Sequence, residues 1–136
     1  MSSLSQNFDS HGVLNFHIKN ENILMIEGFG PWNKEVFTSL TDEQLKLIQS
    51  LYGSSWGVLA IVYGEAIHTP DASEMLEEIV RNDKLLGRVA SAIIVKDSIT
   101  PIFSKDHIVN IYKAAGECVK CFEEEEIAIS WLKKQF

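Results

Sequence analysis

The stretch Trp56-Gly57-Val58-Leu59-Ala60-Ile61-Val62 decides the fold, because it is apolar from end to end. A continuous apolar run of this length predicts a strand covered on both faces, as the inner strands of parallel sheets are. Residues 89–95 form a second run of this kind. Two such strands separated by a helical segment predict an α/β domain built around a mostly parallel sheet.

The segments on either side of these runs supply the remaining elements of the domain. Apolar residues recur at helical spacing across 34–52, and Asn33 is placed to cap that helix. Thr69-Pro70 is typical of a helix start, with a capping residue followed by a first-turn proline. The predicted order is β-β-α-β-α-β-α-β-α, with strands at 13–19, 23–27, 56–62, 89–95 and 118–122 and helices over 34–52, from 70 onward, over 103–115 and over 123–134.

The composition limits the classes of function. At 136 residues the chain fits one domain, predicted over 13–136 behind a flexible polar leader at 1–12. Its 19 acidic and 12 basic residues give a net charge of −7, which argues against nucleic acid as a partner. No apolar run approaches the roughly 20 residues of a membrane-spanning helix, so we expect a cytoplasmic protein that does not span a membrane.

Two short motifs are more typical of structure than of chemistry. Cys118-Val119-Lys120-Cys121 has redox spacing, but on a strand its two thiols point to opposite faces, which favours packing. Gly28-x-Gly30 lies between a strand and a helix, yet Asn33 stands where a dinucleotide fingerprint needs its third glycine. We therefore interpret the glycines as a tight turn and expect no nucleotide cofactor.

The titratable residues show no catalytic or metal-binding pattern. The four histidines lack the spacing of a metal site, and no spacing specifies a Ser-His-Asp, Cys-His or paired-carboxylate arrangement. Glu123-Glu124-Glu125-Glu126 opens the last helix, with Lys133 and Lys134 at its other end, as the helix macrodipole favours. We expect no metal, no cofactor and no catalytic residue.

One edge of the predicted sheet collects polar and aromatic side chains. If the strands that end near Glu27, Val62 and Val95 are parallel, their carboxyl ends bring the following loops together. Open α/β sheets bind ligands at this position, and an ordinary polar loop edge is the alternative. The residues expected at this binding edge are Trp32, Asn33, Tyr63, Glu65, His68, Asp71, Lys96 and Asp97.

The whole pattern resembles the STAS fold, and within it the SpoIIAA-like family of bacterial proteins, over about 13–136. The element order carries the resemblance, together with the strand-to-helix turn Ile23-Leu24-Met25-Ile26-Glu27-Gly28-Phe29-Gly30-Pro31-Trp32-Asn33 and the helix start Thr69-Pro70-Asp71. The closing Phe122-Glu123-Glu124-Glu125-Glu126-Ile127-Ala128-Ile129-Ser130-Trp131-Leu132 is similar to that family's usual ending.

The resemblance implies two modes of action. STAS relatives include anti-sigma-factor antagonists, which dock partner proteins and carry a phosphoacceptor serine in an Asp-Ser-Ser/Thr-Gly motif at a helix start. When residues 71–74 are aligned with that motif, Asp71 matches the aspartate and Ser73 matches the acceptor serine. Ala72 replaces the first serine of the motif, and Glu74 replaces its glycine. The family is also similar to the lipid-transfer CRAL-TRIO fold, which implies a small apolar ligand.

The sequence therefore predicts a STAS-like binding or regulatory module, acting through protein contact or a small apolar ligand, rather than an enzyme. The alternative is a small enzyme or lipid-like ligand carrier that uses the cleft at the same strand ends. In that case His68 and Glu65 are the proton-transfer candidates. Ser73 is the phosphoacceptor candidate, and a homodimer is left open.

Overall fold

One mixed sheet forms the centre of the protein, as seen in a computed structural model that describes residues 12–136. Its strands are β1 (Val13–Lys19), β2 (Ile23–Phe29), β3 (Trp56–Tyr63), β4 (Arg88–Lys96) and β5 (Cys118–Cys121). The helices are α1 (Glu35–Thr38), α2 (Asp42–Gln49), α3 (Pro70–Leu85), α4 (Pro101–Ala114) and α5 (Glu125–Lys133). The predicted leader over 1–12 lies outside the described residues, Gly12 apart.

The strands follow one another across the sheet in chain order, β1-β2-β3-β4-β5. β1 and β2 form an antiparallel hairpin, and every later pairing is parallel. In the middle of the sheet Ile26 lies opposite Ala60, which lies opposite Ile93. The prediction of an α/β domain with a mixed, mostly parallel sheet is confirmed, and the run at 56–62 is the buried central strand.

The first crossover differs from the sequence-based prediction of one helix over 34–52. The segment forms two short helices, because Thr41 adopts an extended backbone and starts a new helix. Its hydroxyl accepts from Gln44 N at 3.1 Å, while the Gln44 side chain accepts from Thr41 N at 3.0 Å, which completes a capping box. The predicted cap at Asn33 is also wrong, since Lys34 occupies the N-cap of α1 without a side-chain bond.

The two faces of the sheet carry separate apolar cores. The larger core packs α1, α2, α3 and α4 against one face of all five strands, and we call it the front core. The smaller one packs α5 alone against β2, β3 and β4, and we call it the back core. Side chains alternate between the two along each strand, so Ala60 and Val62 face the front while Leu59 and Ile61 face the back.

The helix ends follow ordinary capping chemistry. Thr69 caps α3 and Pro70 takes its first position, as the sequence predicts. Pro101 likewise starts α4, two residues before the predicted 103. α5 has Glu125 in its first turn and Lys133 in its last, which complements the macrodipole.

Within 12–136 no helix is both long and apolar enough to cross a membrane.

Candidate functional site

A cavity of about 90 Å³ lies inside the front core, between the sheet and the helices that cover it. The strands contribute its floor through side chains such as Phe16, Ile26 and Ala60. The helices contribute its roof through side chains such as Leu76 and Ile108. Nearly all of the lining is apolar, which makes this apolar cavity the best-defined binding site in the described part of the chain.

The first crossover forms one part of the cavity wall. Phe37, Leu40 and Ile48 line the cavity from α1, α2 and the link between them, and all three are only half-buried. α1 is a single turn, and α2 has no fully buried residue. The cavity is partly open to solvent, and we therefore regard the α1–α2 segment as its cover.

Trp32 forms one end of the cavity wall, at the carboxyl ends of the strands. Its backbone pairs with that of His68, through Trp32 N to Ile67 O at 2.9 Å and Thr69 N to Trp32 O at 3.0 Å. The indole lies so close to Gly28 and Gly30 that a Cβ on either would come within 3 Å of it. The Gly28-x-Gly30 pattern is thus explained by a tight turn against a tryptophan, with no phosphate involved.

His68 lines the cavity beside Trp32 and is 8% exposed. Its ring is tilted against the Trp32 indole, with the ring centroids 4.8 Å apart. It also stacks on Phe37, with a centroid distance of 6.3 Å. Its Nδ1 lies 3.3 Å from Nε2 of His107, which also accepts from the His68 backbone N–H at 3.2 Å. Burial, and then the neighbouring His107, lower the pKa of His68 to about 3, so the ring is neutral at physiological pH.

Tyr63 does not join this group, although the sequence predicts it at the same edge. Its ring packs against the back core and stacks on Phe29, with the ring centroids 4.7 Å apart. The Nζ of Lys96 lies 5.9 Å from the centroid of the Tyr63 ring. The reason is strand alternation, because Val62 faces the front and the next residue must face the back. The structure thus divides the predicted binding edge between the two faces of the sheet.

Glu65 holds the start of α4. Its carboxylate accepts from Ser98 Oγ and Ile99 N, both at 2.8 Å, and from the backbone and hydroxyl of Thr100. The Thr100 hydroxyl, the Ile99 N–H and the Ser98 hydroxyl together lower the pKa of Glu65 to about 2. Glu65 therefore serves as a fixed capping carboxylate that joins two loops of the binding edge.

Asp71 and Ser73 lie in the first turn of α3, outside the cavity lining. The Asp71 carboxylate accepts from Thr69 Oγ1 at 2.5 Å and from Ala72 N at 2.9 Å, and these hydrogen bonds, that of Thr69 first, lower its pKa. Ser73 is half-buried, and its backbone N–H already donates to Thr69 O. Phosphorylation of Ser73 stays a prediction, at a helix start whose capping groups are already engaged.

Asn33 is buried next to Trp32, where its carbonyl accepts from Val36 N. Asn33 and Trp32 thus both pack inward from the turn after β2. The cavity therefore meets the predicted binding edge at Trp32 and His68, and it extends well below that edge into the front core.

The far end of the cavity holds a buried ionic network that the sequence analysis missed. Arg88 donates to Glu117 at 2.7 Å, to Asp83 at 3.1 Å and to Ser91 at 2.8 Å. Ser91 and Lys84 donate to Glu117 in turn, at 2.6 and 2.8 Å. Burial raises the pKa of Asp83. Burial acts in the same direction on Glu117, but the attraction of Arg88 and the hydrogen bonds from Lys84, Ser91 and Arg88 together outweigh it and lower the pKa.

A weak signal for this network exists in the sequence. Arg88 begins β4 and Glu117 directly precedes β5, so the parallel pairing of these two strands places both at the amino-terminal edge of the sheet. Charges of opposite sign at such positions can pair. His107 had no comparable signal, since it meets His68 only through the packing of α4.

The remaining chemistry-bearing residues form no further site. Among the residues described, no three His, Cys, Asp or Glu side chains are grouped so that they could hold a metal ion. Cys118 is exposed, while Cys121 packs into the front core, and burial raises the pKa of its thiol. The expectation that the two thiols lie on opposite faces is confirmed.

Comparison of the chain with protein-family models, with curated proteins and with solved structures gives no match.

Proposed function

We propose that the protein is a STAS-like binding module that holds one small apolar ligand in the apolar cavity of the front core. The observation that carries the proposal is the cavity itself, which is lined almost entirely by apolar side chains and partly open to solvent. The mixed sheet and its crossover helices support the STAS-like part of the proposal. Burial of apolar ligand surface supplies the affinity.

The cavity volume limits the size of the ligand. At about 90 Å³ it is smaller than the engineered cavity of about 150 Å³ that binds benzene. Pockets for drug-sized ligands span roughly 300–1,000 Å³. We therefore expect a ligand of about one ring or a short alkyl chain, admitted by small movements of the α1–α2 cover.

Binding is better supported than catalysis at this site. The two proton-transfer candidates are poorly tuned for catalysis near neutral pH, because the pKa of Glu65 is lowered to about 2 and that of His68 to about 3. A ligand under the α1–α2 cover would change how that cover packs on α3. Ligand occupancy would then be transmitted to the protein surface, which is the regulatory part of the proposal.

The proposal is tested by titrating the protein with toluene, a single-ring apolar probe, followed by methyl NMR and by thermal unfolding. At a free toluene concentration of ten times its Kd, the free energy of unfolding should rise by about 1.4 kcal/mol and the Tm by about 5 °C. Ala60→Leu, which fills the cavity floor, should abolish the effect. Ala92→Leu is the matched control, because Ala92 is equally buried but faces the back core.

Two results would contradict the proposal. One is that toluene shifts neither the methyl resonances of the front core nor the Tm of the wild-type protein. The other is that Ala60→Leu and Ala92→Leu, both shown to be folded by circular dichroism, bind toluene equally well.

Contact with a protein partner is the second candidate function, and one observation favours it. Ile99, Ile102 and Phe103 are 91%, 77% and 57% exposed around the start of α4, at the same edge as His68. Adjoining exposed apolar side chains are characteristic of contact surfaces. Phe103→Ser should weaken binding to a purified partner, while Leu85→Ser, at an exposed apolar site at the end of α3, should not.

A further inference from the structure

We propose that the ligand of the apolar cavity carries one neutral hydrogen-bond donor, a hydroxyl group, and that Nε2 of His68 accepts it. The inference rests on the proposed function and adds the chemical class of the ligand. Its basis is the hydrogen-bond pattern of the two histidines, which fixes the proton of each ring.

The backbone fixes the tautomer of His107. The N–H of His68 donates to His107 Nε2 at 3.2 Å, and a backbone amide can only donate. Nε2 of His107 must therefore be unprotonated. Nδ1 of His68 lies 3.3 Å from the same atom, so the contact is attractive only when that Nδ1 carries the proton.

A neutral imidazole has one N–H and one lone-pair nitrogen. With the proton of His68 on Nδ1, its Nε2 is left as an acceptor. That nitrogen has no hydrogen-bond partner among residues 12–136, while His68 itself is 8% exposed and lines the cavity. Because His68 lines an apolar cavity, this acceptor is open to a donor from a ligand. A ligand hydroxyl in the cavity is a donor of the right kind.

The charges around the cavity exclude an acidic ligand. At its far end two cations, Arg88 and Lys84, already face two carboxylates, Asp83 and Glu117. A ligand carboxylate would be a third anion in a buried, balanced network. At the near end His68 is neutral and has its single N–H directed at His107. The site therefore favours a neutral alcohol or phenol over a fatty or aromatic acid.

The test compares phenol with toluene in NMR or calorimetric titrations of the wild-type protein and of His68→Phe. Phenylalanine keeps a flat ring between Trp32 and Phe37 but has no acceptor nitrogen. We expect the ratio of phenol affinity to toluene affinity to fall about tenfold in the variant, because the variant loses one hydrogen bond to the ligand in a site shielded from water. Toluene itself should bind both proteins.

A second variant separates the acceptor from the stacking. His68→Asn places an amide donor near the Nδ1 position, so the contact with His107 is kept while Nε2 is lost. It should lower the phenol to toluene ratio as His68→Phe does. His68→Gln, whose amide oxygen can reach the Nε2 position, should restore part of the ratio.

The tautomer is checked without any ligand. In ¹⁵N-detected spectra of the free protein, His68 should carry its proton on Nδ1, and phenol should shift the Nε2 resonance. A proton on Nε2 of His68 would overturn the inference, as would a phenol to toluene ratio unchanged in both His68→Phe and His68→Asn. Tight binding of benzoate would overturn the choice of a neutral ligand. Failure of both toluene and phenol to bind would instead remove the proposed function on which the inference rests.

Discussion

Nδ1 of His68 and Nε2 of His107 lie 3.3 Å apart, which joins the loop after β3 to the middle of α4. The two ring planes lie 27° apart with their centroids 5.3 Å from each other, and the contact requires an unprotonated Nε2 on His107. Burial lowers the pKa of each ring, and His68 has the larger shift, to about 3. A proton added to either ring would place a charge against Trp32 and Phe37 or remove the acceptor at His107.

The first prediction concerns the pH dependence of stability. His68 has its pKa lowered from 6.5 to about 3 on folding, so the unfolded chain binds more protons between these values. Stability is therefore full above pH 6.5 and is lost as the pH falls toward 3. From pH 7 to pH 5 the free energy of unfolding should fall by about 2 kcal/mol through His68.

Urea unfolding at pH 7, 6 and 5 measures this slope. In His68→Asn, which does not titrate, the decline between pH 7 and pH 5 should be smaller by about the same 2 kcal/mol. Parallel declines in the wild-type protein and the variant would show that His68 is not buried as a neutral ring.

The second prediction concerns Glu65, whose carboxylate caps α4. Glu65→Ala should lower the Tm and speed amide exchange at 98–102, because the Ile99 N–H loses its acceptor and the Thr100 N–H keeps only Ser98 Oγ. Glu78→Ala, at an exposed position on α3, is the matched control and should change neither. Since the pKa of Glu65 is lowered to about 2, its contribution should persist at pH 4.5 and disappear only as the pH falls toward 2.

The inner strands could be predicted from the sequence because apolar runs have few alternatives in a chain of this size. The strand at 56–62 and the helix start at Thr69-Pro70 were both correctly placed. The break in the first crossover was missed, since the apolar spacing continues through it and only the capping box at Thr41 and Gln44 marks the new helix. Local hydrogen bonding decided a boundary that hydrophobic periodicity does not show.

The candidate site was predicted only as an edge. Strand ends indicate which loops meet, but not which face a side chain takes, and Tyr63 lies on the face opposite to His68 for that reason. The depth of the cavity depends on how α1, α2 and α3 pack, and no local pattern encodes that packing. His107 meets His68 across 39 positions of the chain, which a single sequence does not reveal.

The third prediction concerns the buried ionic network at the far end of the cavity. Arg88→Met leaves Asp83 and Glu117 buried without their main cation, and should cost about 3–5 kcal/mol of unfolding free energy. Adding Glu117→Gln should make the double variant less destabilised than the sum of the two single changes. Arg81→Met removes an exposed arginine that pairs with Glu77 on the same helix and donates to Ala114 O on α4, and should cost at most about 1 kcal/mol. Strict additivity in urea unfolding would show that the buried groups are not coupled.

The fourth prediction concerns the size of the ligand. Leu76 covers the cavity from α3, so Leu76→Ala should enlarge it and destabilise the fold by about 2–3 kcal/mol, at the low end for a half-buried leucine. The added room should let two-ring probes such as naphthalene bind, while the wild-type protein admits only single rings. Met75→Ala is the matched control, because Met75 is also half-buried on α3 but does not line the cavity. NMR titration with toluene and naphthalene measures the change in preference. If Leu76→Ala and Met75→Ala retained the same preference as the wild-type protein, the ligand would not sit beneath α3.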